Sequence, residues 1–101
     1  MNGLSQTPAR EALSKPVITA FWLGYFQEGF RFNVFDGLLN LFAEQNMTKI
    51  DIAKRVDKRP EQIARWLAGT SNIGIDDISD LALSMGYVPK ITFEPLDRGG
   101  V

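Results

Sequence analysis

The chain has 101 residues, a formal net charge of −1, 45% hydrophobic and 23% charged residues, a composition that fits one folded domain and not a wholly disordered chain. It contains neither cysteine nor histidine. That inventory removes disulfides, the usual zinc ligands, the commonest general base and the thiol nucleophile, so no metal, no cofactor and no enzymatic role is expected.

Residues 1–16 are polar and end in Lys15-Pro16, which predicts a mobile arm with a helical turn over Ala9 to Ser14 as its one ordered option. From Val17 to Asn46, apolar residues recur at Ile18, Phe21, Tyr25, Phe32, Phe35, Leu39 and Phe42, in the steps of three and four that mark a helix. Gly24, Gly29 and Gly37 weaken it, each by roughly 1 kcal/mol relative to alanine. Asn33 and Asp36 resemble an N-cap followed by an acid three residues on. This pattern favours two helices, about 17–30 and 34–46, and leaves one long kinked helix open. The aromatic residues are expected in the core or at a dimer contact.

Thr48 is the expected N-cap of the next helix, with Asp51 reaching back to the cap amide. Ile50 and Ala53 should face inward there, with Ile52 and Val56 as further candidates. The turn is Val56-Asp57-Lys58-Arg59. Pro60 opens a third helix, where a missing amide proton costs nothing. Ile63, Trp66 and Leu67 give it a buried stripe, and Gly69 ends it in the left-handed conformation.

A polar loop, Thr70 to Gly74, leads to a helix over about Ile75 to Met85. Its expected stripe is Ile75, Ile78, Leu81, Ala82 and Met85, with Asp76 and Asp77 favoured in the first turn by the helix dipole. Gly86 closes it. Tyr87 to Glu94 is rich in β-formers and reads as one strand, confined to an edge by Pro89. A lone strand cannot satisfy its own backbone groups, so the expected partner is the same strand of a second copy, giving a homodimer. The fold class is thus all-α with one short C-terminal strand: a single domain over 17–96, a mobile arm over 1–16 and a loose tail over 97–101.

No run approaches the ~20 apolar residues of a membrane span, and the N-terminus lacks a signal-peptide pattern, so a cytoplasmic location without membrane contact is expected. The sequence pI of about 5.3 argues mildly against a nucleic-acid partner. The distribution argues otherwise. Met47 to Asn72 holds six bases (Lys49, Lys54, Arg55, Lys58, Arg59, Arg65) and three acids, a balance of +3, which leaves −4 for the rest. Phosphate attraction follows the local patch more than the total.

Lys49 to Gly69 combines a helix, a tight turn at Asp57, a second helix and a closing glycine. Ala53, Ile63 and Trp66 fall where two steeply crossed helices touch, and Ala53 must be small there. This is the spacing of a helix-turn-helix. Met47-Thr48-Lys49-Ile50-Asp51-Ile52-Ala53-Lys54-Arg55-Val56 followed by Ile63-Ala64-Arg65-Trp66-Leu67-Ala68-Gly69 resembles the lambda repressor/Cro-like (Xre) family of bacteria and phages. Ser71 to Ile75 and Leu81 to Tyr87 resemble its closing helix, and Ile91 to Leu96 a subgroup that ends in a β-strand. The resemblance covers roughly residues 34–96.

It implies a lambda-repressor-like helical bundle whose third helix enters the major groove of double-stranded DNA. The implied base-reading set is Arg59, Glu61, Gln62 and Arg65. Arg65 could fork to the two acceptors of guanine and Gln62 could pair with adenine. Lys49 matches a phosphate-contacting position, Lys58 adds charge in the turn, and Thr70, Ser71 and Asn72 offer further donors. Three departures stand out: Asp57 replaces the family's usual turn glycine, Arg59 a small polar cap, and Pro60 a base-reading residue. The function so implied is a sequence-specific transcription regulator, a repressor, acting as a homodimer. Alternatives are an antitoxin that also holds a toxin through its aromatic N-terminal segment, and a protein–protein module that kept the fold without the DNA.

Overall fold

The structure, a computed structural model, describes residues 14–69 and 72–96. Most of the expected N-terminal arm, together with Thr70, Ser71 and the 97–101 tail, lies outside the described residues. The elements in chain order are α1 (Ala20–Glu44), α2 (Lys49–Val56), α3 (Pro60–Ala68) and α4 (Ile75–Ser84). The described chain divides into two compact units, one of residues 14–31 with 91–96 and one spanning Phe32–Lys90. None of these helices is long and apolar enough to cross a membrane.

α1 is one continuous 25-residue helix, about 37 Å long at 1.5 Å per residue. The break expected between residues 30 and 34 is absent. Asn33 does not cap there, since it lies within the continuous helix, and the Asp36 carboxylate accepts from the Asn40 side-chain amide at 3.5 Å. Thr19 caps the start of α1: the Thr19 hydroxyl accepts from the Trp22 amide at 3.4 Å and its carbonyl from the Leu23 amide at 3.0 Å. Gly24, Gly29 and Gly37 meet no neighbouring atoms where a Cβ would stand, so crowding does not require glycine at any of the three.

In the Phe32–Lys90 unit the core is built from Leu38 of α1, Ile52 and Ala53 of α2, Ile63, Trp66 and Leu67 of α3, and Leu81 with Met85 around α4. α2 is the hub and packs on both α3 and α4. Val34, Leu41, Phe42, Met47, Val56 and Ile73 close over this cluster from its edges.

Two apolar positions depart from expectation. Ile50 is 54% exposed while Ile52 is fully buried; the two lie about 200° apart around the helix, so only one can face the core. Ile52, Ala53 and Val56 share the inward face. Ile75, expected in the α4 stripe, is 82% exposed, because the stripe begins one turn later, at Ile78.

The C-terminal strand is not there. Residues 87–95 carry no strand in the described structure, which corrects the expectation of a strand-tailed subgroup and of a dimer paired through that strand. Pro89 and Pro95 each remove a ladder donor from the segment. Its large side chains are not buried on any face, with Phe93 94% exposed, so alternation gains nothing here. What the chain forms instead is a helix stop. Tyr87 donates to the Ala82 carbonyl and Gly86 to the Leu83 carbonyl, both at 2.9 Å, with Gly86 at φ +88°. This paired closure needs a left-handed residue, which glycine supplies without steric cost.

Candidate nucleic-acid interface

α2 begins with a reciprocal cap. The Asp51 amide donates to the Thr48 hydroxyl at 3.1 Å, and the Thr48 amide donates to the Asp51 carboxylate at 2.9 Å. The Thr48 amide holds the Asp51 carboxyl below its ordinary value, and the Thr48 hydroxyl and the nearby Lys54 charge lower it further. The cap places Lys49 in the first turn of α2, exposed to solvent.

α2 ends at Asp57, which adopts φ 57°, ψ 50°, the sole non-glycine in the left-handed region among the described residues. Asp tolerates this region better than most residues because its short polar side chain can hydrogen-bond to the local backbone. The chain then turns through Lys58 and Arg59 into α3. Arg59 occupies the N-cap in extended backbone without a side-chain cap bond, while its carbonyl accepts from Gln62 at 2.9 Å and Ile63 at 3.2 Å. Pro60 takes the first helical position, where no intrahelical donor is lost.

α3 is strongly two-sided. Ile63, Trp66 and Leu67 are buried in the core, and Glu61 and Arg65 are exposed on the other side, with Gln62 half-buried between. Asp57, Lys58, Arg59, Glu61, Gln62 and Arg65 line one shallow depression open to solvent. Five of these six are the residues expected to meet DNA. Lys58, Arg59 and Arg65 form no ion pair among the described residues, so their charges are not spent on neighbouring acids.

The structure thus gathers Lys58, Arg59, Glu61, Gln62 and Arg65. Lys49 and Asn72 are exposed but lie outside the depression, and Thr70 and Ser71 fall outside the described residues. The residue that sequence reasoning missed as a site member is Asp57. In the sequence it stands out only as a turn-former; its position directly before Lys58 and Arg59 is the available signal. The pocket-lining set mixes three cations with two carboxylates, an arrangement able to attract phosphates while offering both donors and acceptors to base edges. No group of three or more metal-ligating side chains is present among the described residues.

The helix-turn-helix family model matches residues 38–90, more than half of the chain and the span that holds α2, the turn, α3 and α4. No curated protein and no solved structure matches the chain. The matched span, the left-handed turn at Asp57 and the two-sided α3 agree with one another: this chain belongs to the helix-turn-helix family of the lambda repressor-like (Xre) type, a family of DNA-binding transcription regulators.

Proposed function

We propose that this protein is a sequence-specific repressor that binds duplex DNA in the cytoplasm as two copies, each inserting α3 into a major groove. The observation that carries this reading is the convergence of Lys58, Arg59, Gln62 and Arg65 on one solvent-open depression, backed by a helix whose opposite side is anchored in the core. Arg65 is assigned to guanine and Gln62 to adenine, because their side chains can make the paired hydrogen bonds those bases present in the major groove. Lys49, Lys58 and Arg59 are assigned to phosphates, with Thr70, Ser71 and Asn72 as further backbone contacts. Glu61 is assigned to accept from cytosine or to exclude misplaced phosphates.

Two copies related by a two-fold axis would read half-sites about 34–36 Å apart, one helical turn of DNA. Selecting bound sequences from random duplexes tests this directly. The expected product is an inverted repeat; a single half-site or no enrichment would refute paired, sequence-specific reading.

One observation favours a second reading. Asp57 and Glu61 place two carboxylates in the same depression, which suits a protein partner with basic groups and not a polyanion. Duplex affinity separates the two, since a phosphate-binding surface loses affinity steeply as salt rises and a protein-binding module shows no duplex binding to lose.

A further inference from the structure

We infer that Pro60 and Ala64 form an apolar row on α3 that reads the C5-methyl group of a thymine in each half-site. The inference rests on the duplex-binding reading above and adds a base contact which that reading does not assign. Pro60 is exposed at the first position of α3, and Ala64 is half-buried one turn further on. Four residues apart, the two lie about 40° from each other around the helix and share one side. Glu61 and Arg65 repeat that spacing about 100° further round. α3 therefore presents two parallel rows, one apolar and one charged. The core holds neither, since its α3 members are Ile63, Trp66 and Leu67.

The apolar row borders the depression: Arg59 and Glu61, on either side of Pro60 in the chain, both line it, as does Arg65 next to Ala64. Pro60 has no amide proton, and the Gln62 amide already donates to the Arg59 carbonyl at 2.9 Å. This end of α3 is thus poor in donors for a phosphate. Base pairs present hydrogen-bonding groups all along the major groove, and thymine alone of the four bases adds a methyl, which apolar side chains meet. A row without polar side-chain atoms leaves donors and acceptors unsatisfied wherever it excludes water from them. Against a methyl it buries apolar surface without that cost. Neither Pro60 nor Ala64 has rotamer freedom to lose on contact. Cytosine carries the same methyl when it is 5-methylated, so the row accepts 5-methylcytosine as well.

The contact is tested by titrating the wild-type protein against the duplex recovered from random-sequence selection, with each thymine replaced in turn by uracil, which lacks only the methyl. One uracil in each half-site should weaken binding about fourfold, the effect of exposing one apolar carbon. With cytosine or 5-methylcytosine at the same position, the methylated base should bind about fourfold tighter. Pro60→Ser, with circular dichroism as the fold control, should erase both differences, because a hydroxyl takes the place of the apolar ring. No duplex binding at all overturns the reading on which the inference rests. Duplex binding in which no uracil matters overturns the methyl contact alone. A uracil effect that Pro60→Ser leaves intact overturns its assignment to Pro60.

Discussion

The amide of Lys58 donates to the carbonyl of Ala53 at 2.9 Å, a bond that spans the left-handed Asp57 and closes the turn between α2 and α3. Ala53 therefore serves twice. Its carbonyl anchors the turn, and its 2% exposed methyl sets how closely α2 and α3 approach. The same bond fixes Lys58 at the rim of the depression. Ala53→Leu should cost about 1–3 kcal/mol through overpacking, and the loss of duplex affinity should exceed what partial unfolding explains. Urea unfolding alongside duplex titration checks this.

Asp57 links stability to binding. Asp57→Val places a β-branched residue at φ 57° and should destabilise by about 1–2 kcal/mol. Asp57→Asn keeps a residue that tolerates this conformation and removes one carboxylate from the depression. Its stability should change by less than about 0.5 kcal/mol, while duplex binding tightens. A tighter complex without a stability change separates the electrostatic effect from the conformational one.

The Thr48–Asp51 cap predicts a pH dependence. Asp51 has a folded pKa below its ordinary value of 3.8. Its contribution is therefore fully present above that ordinary value and is lost as pH falls through the lower folded one. Asp51→Ala, which removes the carboxylate that accepts from the Thr48 amide, should destabilise at neutral pH, and the difference from wild type should shrink below pH 4. Thermal melts of both proteins between pH 7 and 2 check the sign; a gap that widens on acidification would refute the assignment.

Ile50 and Ile52 test the phase of α2. Ile52 is fully buried and Ile50 is 54% exposed, so Ile52→Ala should cost about 2–5 kcal/mol and Ile50→Ala no more than about 0.5 kcal/mol beyond its change in helix propensity. Equal costs would mean that α2 is rotated from the position described.

These residues also show what was legible beforehand. The boundaries of α2 and α3 were readable because each carries a local chemical signal: the Thr48–Asp51 reciprocal cap, Asp57 in the turn, Pro60 at the first position and Gly69 at φ +71°. The rotation of an eight-residue helix was less so, since Ile50 and Ile52 are equally apolar and tertiary packing alone chooses between them. α1 was ambiguous because its glycines argued for a break, while the helical hydrogen bonds simply continue past them. The C-terminal segment misled because β-formers describe a residue's fit to a sheet, and the described chain has no sheet for Ile91 or Phe93 to join. In the candidate site, the buried stripe of α3 followed from periodicity and its outward residues Glu61, Gln62 and Arg65 from the family resemblance, whereas Asp57 is hidden by its conformational role.

The measurement closest to the central claim is the salt dependence of duplex affinity for wild type, Arg65→Ala and Lys49→Ala. On this account log affinity falls linearly with log salt for the wild type. Lys49→Ala weakens all sequences alike and lowers the slope by about 1, while Arg65→Ala costs roughly 1–3 kcal/mol at one base position in each half-site. A wild-type affinity indifferent to salt, or a binding profile that Arg65→Ala leaves unchanged, would contradict the assignment of α3 to the major groove.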